Sequence, residues 1–214
     1  MEILIIAAHP DDEVLGMGGT IKKLTQNQHS VHLCVISEGV TAQYSNKKMI
    51  KVRKEACKKA GKVLGIKTCD FFDFPDMRLN DISHLKINQK IEKIISKYNP
   101  SIVYTTPKND LNKDHQIVFE STLVATRPLS SKVKQIFSYE IPGITKFPFC
   151  PMVYENIKNQ FSYKIKALNE YKTEIEEFPH PRSIDAIKSL ANHRGMESGF
   201  MKAESFELIR SIIE

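Results

Sequence analysis

Near its amino end the chain sets an imidazole and three carboxylates within five residues, His9-Pro10-Asp11-Asp12-Glu13. A His and an Asp three positions apart in a tight turn can reach one cation, leaving the second Asp free to move a proton. A carboxylate at a helix start ordinarily caps backbone N–H groups and complements the helix dipole. Capping needs only one of the acids that follow His-Pro here. A second polar run, Lys108-Asn109-Asp110-Leu111-Asn112-Lys113-Asp114-His115, ends in another imidazole. Alone, His115 reads as a capping or core residue; beside the first cluster it reads as a third ligand. His9, Asp12 and His115 make the two-His, one-carboxylate set of an open catalytic Zn²⁺ site, with water in the fourth position. Imidazole donors argue against Mg²⁺ and Ca²⁺, while Fe²⁺, Co²⁺ and Mn²⁺ also suit them. The other histidines (His29, His32, His84, His180, His193) lack such company and read as surface or packing residues.

The elements around both clusters point the same way. Glu2 to Ala8 is a short apolar run, read as a buried strand bounded by Pro10. Leu15, Ile21 and Leu24 fall on helical spacing, so a helix is expected from Asp12 or Glu13. Gly18-Gly19 within it costs roughly 1 kcal/mol per Gly relative to Ala and predicts a close approach, to a neighbouring strand or to a ligand. Ser101 to Thr106 reads as a strand closed by Pro107, with a helix over 113–125 behind the second cluster. Further strands are expected over 31–37, 68–72 and 135–139. Further helices are expected from Lys47 to Leu64, closed by Gly65, and over 82–98, ended by Asn99-Pro100. This alternation predicts an α/β fold: a Rossmann-like, doubly wound, mostly parallel sheet with helices on both faces and a C-terminal elaboration. In such sheets ligands bind beyond the carboxyl ends of the strands, where the two loops can face each other. After Ile141-Pro142-Gly143 the alternation stops; two amphipathic segments follow, at 163–177 and 183–193, then Gly195 and a tail. The expectation is one domain over 1–214, with a core over 1–140 and a cap region over 141–214.

With 41% hydrophobic and 26% charged residues, the chain has a soluble globular composition. No apolar run is long enough to span a membrane, and the apolar start is too short and lacks a basic flank for a signal peptide. Cys34, Cys57, Cys69 and Cys150 are scattered with no CxxC pair, pointing to a reducing, cytoplasmic setting without a thiolate metal site. The net charge of +6 comes from lysines spread along expected helices (Lys47, Lys48, Lys51, Lys54, Lys58, Lys59, Lys62 among them). No helix-turn-helix, finger or base-stacking motif accompanies them, so no nucleic-acid partner is expected. A homo-oligomer is compatible with this composition, which does not fix the assembly state.

Ala8-His9-Pro10-Asp11-Asp12-Glu13 with Gly16 and Gly18-Gly19, Arg53-Lys54-Glu55-Ala56 with Leu64-Gly65, and Asp114-His115 resemble the zinc-dependent de-N-acetylases related to PIG-L and LmbE. These act on N-acetylglucosaminyl groups. Lys166 to Tyr171 and Arg194 to Gly199 resemble a subgroup met in sugar and polysaccharide processing. The resemblance implies a metal held by His9, Asp12 and His115, and amide hydrolysis by metal-activated water with Asp11 as general base. It implies substrate binding by Arg53, a supporting role for Asp114, and an amino-sugar conjugate as substrate. The carrier is open: nucleotide, lipid, thiol precursor or oligosaccharide. Many members carry a His three residues before the ligand His, where this chain has Asn112. An amide can donate to an oxyanion but cannot shuttle a proton, so the acid role falls to Asp11 once protonated, or to His193 or Glu204. A related metallohydrolase on another amide or ester fits the same residues. A receiver-type signalling domain, with Mg²⁺ and Asp73 as phosphoacceptor, leaves His9 and His115 unexplained, and a basic nucleic-acid-binding protein with a structural metal lacks a binding motif.

Overall fold

The computed structural model describes residues 1–42, 48–143 and 145–213. Its sheet has seven strands in the order β3-β2-β1-β4-β5-β7-β6. These are β1 (Glu2–Ala7), β2 (Ser30–Ser37), β3 (Thr68–Phe74), β4 (Ile102–Thr105), β5 (Gln135–Tyr139), β6 (Val153–Asn156) and β7 (Ala203–Ser211). The first five run parallel, while β7 is antiparallel to both β5 and β6. The helices are α1 (Asp12–Gln26), α2 (Lys48–Leu64), α3 (His84–Tyr98), α4 (Lys113–Ala125), α5 (Phe161–Leu168) and α6 (Ile184–Ser198).

Alternation along β1 builds two cores. Ile3, Ile5 and Ala7 pack with residues of α1, α2, α5 and α6, whereas Leu4, Ile6 and Ala8 pack with α3 and α4. A parallel strand covered on both faces reads as an unbroken apolar run, the pattern seen in the sequence. The expected first five strands and first four helices are all present, within two residues at their ends. Lys47, the expected first residue of α2, lies outside the described residues.

The last third differs from expectation. The segment read as a tail is β7, inserted between β5 and β6, and Ala203 to Glu207 are all buried, which removes the alternation that marks a strand. β6 was likewise not expected. Helix α5 stops at Leu168 instead of reaching 177, because Tyr171 turns fully inward and donates its hydroxyl to Glu13 Oε1 at 2.5 Å.

Helix α1 is broken at Met17 (φ −147°, ψ 26°). Lys164 Nζ donates to the Leu15 carbonyl at 2.8 Å, and Glu204 accepts the Gly19 and Thr20 N–H groups at 3.0 and 2.6 Å. Lys164 and Glu204 pair with each other at 2.6 Å, so the break leaves these backbone groups satisfied. A Cβ at Gly16 would lie 2.4 Å from the Tyr139 ring, and one at Gly19 would lie 2.8 Å from Ile157. The close approach signalled by the glycines is therefore to protein side chains. Among the described residues no helix is long and apolar enough to cross a membrane, and all four cysteines are free.

Candidate metal centre

Strands β1 and β4 are parallel neighbours, with Ile3 opposite Ile102 and Ile5 opposite Tyr104. The loops leaving them therefore open at the same edge, where the strand order reverses. There His9 Nδ1 faces His115 Nε2 at 3.2 Å. Asp12 completes the triangle, with Oδ2 at 3.7 Å from His9 Nδ1 and Oδ1 at 3.4 Å from His115 Nε2. A tetrahedral ion with bonds of about 2.0–2.1 Å sets its ligand atoms roughly 3.3–3.4 Å apart, close to these spacings. Asp12 Oδ1 is buried with no hydrogen-bond partner among the described residues. The donor set fits a divalent transition metal.

The far nitrogen of each ring meets carboxylate. His9 Nε2 lies 3.1 Å from Asp76 and 3.2 Å from Asp114, and His115 Nδ1 lies 2.8 Å from Asp110. Carboxylates in that position hold the ring proton there and leave the facing nitrogen's lone pair to the ion. Asp114 also accepts the N–H groups of Met77 and Leu79 at 2.8 and 3.1 Å, tying the loop after β3 to the start of α4. His9, Asp76 and Asp114 are themselves close enough to share an ion. Asp114 is already committed to two backbone donors, and both acids serve His9 Nε2, so the triangle with Asp12 is the better ligand set.

Electrostatics agree. Burial opposes a charged His9, but hydrogen bonds to Asp114, Asp12 and Asp76 prevail and raise its pKa well above the usual imidazole value. Burial likewise opposes a charged His115, yet Asp12 and Asp110 lift it to about 9. Against its own burial, Asp12 is held well below the usual carboxyl range by His115 and His9. Such a pocket demands positive charge, carried by protons or by an ion that displaces them.

Asp11 stands apart from the triangle. It precedes α1 at φ 127°, ψ −26°, a strained conformation for a residue with a Cβ, and its side chain makes no cap. Its carboxylate is 1% exposed, and neither oxygen has a hydrogen-bond partner among the described residues. Arg53 Nη2 and Arg182 Nη1 lie 3.5 and 3.6 Å from Oδ2. Burial raises the Asp11 pKa, and Arg182 and Arg53 only partly offset it. The Asp11 N–H donates to Glu13 Oε2 at 3.2 Å, and burial pushes Glu13 up to about 8 despite its bond from Tyr171.

A cleft of about 200 Å³ opens beside these groups, lined by His9, Arg53, Asp76, Met77, Asn112 and Arg182 among others. Asn112 caps α4, its Oδ1 accepting the Asp114 N–H at 2.9 Å, which leaves its amide nitrogen as the donor. Arg53 is nearly buried, donating to the Pro10 carbonyl at 2.7 Å and pairing with Glu174 at 2.6 Å. The structure thus gathers His9, Asp11, Asp12, Arg53, Asn112, Asp114 and His115 in one place. His193 is not there: it is an exposed residue of α6 paired with Glu197. Glu204 is spent on the break in α1, so neither lines the cleft. Asp73 pairs with Lys54 on edge strand β3, separated from β1 by β2, which removes the receiver-type geometry. Asp76, Asp110, Glu174 and Arg182 went unassigned in the sequence; only Asp110, inside the second polar run, carried a signal.

The family model for PIG-L, GlcNAc-PI de-N-acetylase, matches residues 4–126. The chain belongs to the PIG-L family. The match spans both ligand loops and Arg53, and ends just after α4. The chain is 34% identical to the uncharacterized deacetylase YaiS of Escherichia coli (strain K12), across 80% of this chain and 90% of that one. It is 27% identical to a probable N-acetyl-alpha-D-glucosaminyl L-malate deacetylase 2 of Bacillus cereus, across 81% and 84%. Its fold is similar to that of the N,N'-diacetylchitobiose deacetylase of Pyrococcus horikoshii, with a TM-score of 0.83 over 98% of this chain and 84% of the other at 19% identity.

Proposed function

We propose that this chain is a metal-dependent de-N-acetylase that hydrolyses the acetamide of N-acetylglucosamine-type conjugates. The observation that carries the reading is the convergence of His9 Nδ1, Asp12 and His115 Nε2 beside the unpartnered Asp11 carboxylate. Its family and the deacetylases it is similar to support the reaction class. His9, Asp12 and His115 hold the ion, Zn²⁺ being the metal that suits an open set of this kind. When bound, the ion supplies Lewis acidity, acidifying water and drawing charge from the acetamide carbonyl.

The chain's own residues do the rest. Asp11 accepts the proton of the attacking water, since neither of its oxygens accepts a hydrogen bond from the described residues and its pKa is already raised. The same carboxyl, now protonated, returns that proton to the departing amine, the role for which no His stands at position 112. Asn112 donates from its amide nitrogen to the oxygen on which negative charge develops. Arg53 fixes the Pro10 carbonyl and stands beside Asp11, so the turn carrying the base cannot relax. Asp76, Asp110 and Asp114 orient the two imidazoles. Acetate release from a panel of N-acetylglucosamine conjugates, with metal-loaded and chelator-treated protein, tests the proposal. Metal-dependent acetate from at least one conjugate is expected; none from any of them with loaded protein overturns it.

A further inference from the structure

Two guanidinium groups flank Asp11, in different surroundings. Arg53 is 2% exposed, and its terminal nitrogens are taken by Pro10 O, Glu174 and Asp11. The Arg182 side chain is 30% exposed and lines the cleft with His9, Asp76 and Asn112. Its Nη1 meets Glu174 at 3.1 Å and Asp11 at 3.6 Å. Its Nε and Nη2 meet no acceptor among the described residues, the side chain's contacts all running through Nη1. The backbone beneath it is fixed: the Arg182 N–H donates to His180 Nδ1 at 3.1 Å, and Ser183 caps α6 through the Ala186 N–H at 3.1 Å. A pinned guanidinium with spare donors, in the cleft wall beside the general base, is placed to grip a substrate.

We infer that Arg182 contacts the substrate directly, donating to neutral oxygens of the sugar ring that bears the acetamide. The charges favour neutral oxygens over an anion. Arg53 and Arg182 are matched by Asp11 and Glu174, and Asp76 lies in the same cleft, so the wall holds no spare cation for a phosphate or carboxylate. The substrate class is an uncharged N-acetylhexosaminyl ring, with any charged carrier lying beyond it. This inference rests on the amino-sugar reading above and adds to it the residue and the ring it selects.

The test compares wild type, Arg182→Ala and Arg182→Lys, all metal-loaded, on N,N'-diacetylchitobiose and on N-acetylglucosamine 6-phosphate. Calorimetric binding of N,N'-diacetylchitobiose in an Asp11→Asn background gives a readout free of turnover. Loss of a charge-assisted hydrogen bond predicts that Arg182→Ala raises KM and weakens calorimetric affinity about 10- to 100-fold. kcat should change much less, Arg182→Lys should recover part of the loss, and the phosphorylated sugar should not be preferred. Thermal melts, with the conservative lysine variant, separate loss of grip from loss of fold. Unchanged KM and affinity, a fall confined to kcat, or a preference for the phosphorylated sugar overturns the inference. Failure of the underlying reading is distinct: wild type itself then releases no acetate from either sugar or from the wider panel.

Discussion

Asp11→Asn keeps the shape of the side chain and removes its charge. The carboxylate lies 3.5 Å from Arg53 and 3.6 Å from Arg182. At an effective dielectric near 20, each contact is worth roughly 4–5 kcal/mol before desolvation. Burying the carboxylate costs several kcal/mol, which takes back most of that gain. Both guanidinium groups keep contact with Glu174, at 2.6 and 3.1 Å, and the one positive charge then left in excess falls to Arg182, whose side chain is 30% exposed and partly solvated. The expected change in stability is therefore below about 2 kcal/mol, or less than about 8 °C in Tm for a domain of this size. Asp11 is outside the ligand triangle, so metal content should not change. Turnover should fall by about 10²- to 10⁴-fold, the usual worth of a positioned general base. Acetate release, metal content and urea unfolding, measured on one preparation, check all three. Turnover within about ten-fold of wild type, or loss of the ion with the charge, would refute the assignment of Asp11.

Chelation should lower Tm by about 5–10 °C when the metal had been present at a hundred times its Kd, a stabilisation of about 2.7 kcal/mol; a thermal melt with and without chelator reads it. Asp110→Ala removes the acceptor 2.8 Å from His115 Nδ1 and should weaken metal affinity about 10- to 100-fold in a competition titration with a chromogenic chelator. Gly16→Ala drives a Cβ to within 2.4 Å of the Tyr139 ring, an overpacking that should cost about 1–3 kcal/mol in chemical denaturation. Lys164→Met leaves Glu204 buried without its cation and should cost about 3–5 kcal/mol. Adding Glu204→Gln should recover much of that loss; a single variant as stable as wild type would show the pair to be dispensable.

The parts of the site legible in the sequence were those where chemistry and chain order coincide. His9, Asp11 and Asp12 stand in one turn, and the parallel alternation places His115 at the neighbouring strand's end, so local pattern and topology together bring them to one place. Asp76 and Arg182 left no comparable trace. Each follows a proline in a loop of mixed charge, Pro75-Asp76 and Pro181-Arg182, with no Asp-Asp pair beside it to mark it out, and gains its place only through tertiary contacts. The same holds for β7, whose first five residues are buried and so show no alternation, and for the early end of α5, decided by the hydroxyl of Tyr171 reaching Glu13. Capping, the ordinary explanation for acids at a helix start, fails for Asp11, whose side chain bonds no backbone group. It also fails for Asp12, whose Oδ2 accepts the N–H of His9, outside the helix, at 2.9 Å.

Anomalous diffraction at the metal edge, from crystals of the zinc-loaded protein, tests the central claim most directly. A single peak about 2.0–2.2 Å from His9 Nδ1, an Asp12 oxygen and His115 Nε2 is the expected result. A peak among His9 Nε2, Asp76 and Asp114, or no peak at either place, would contradict it.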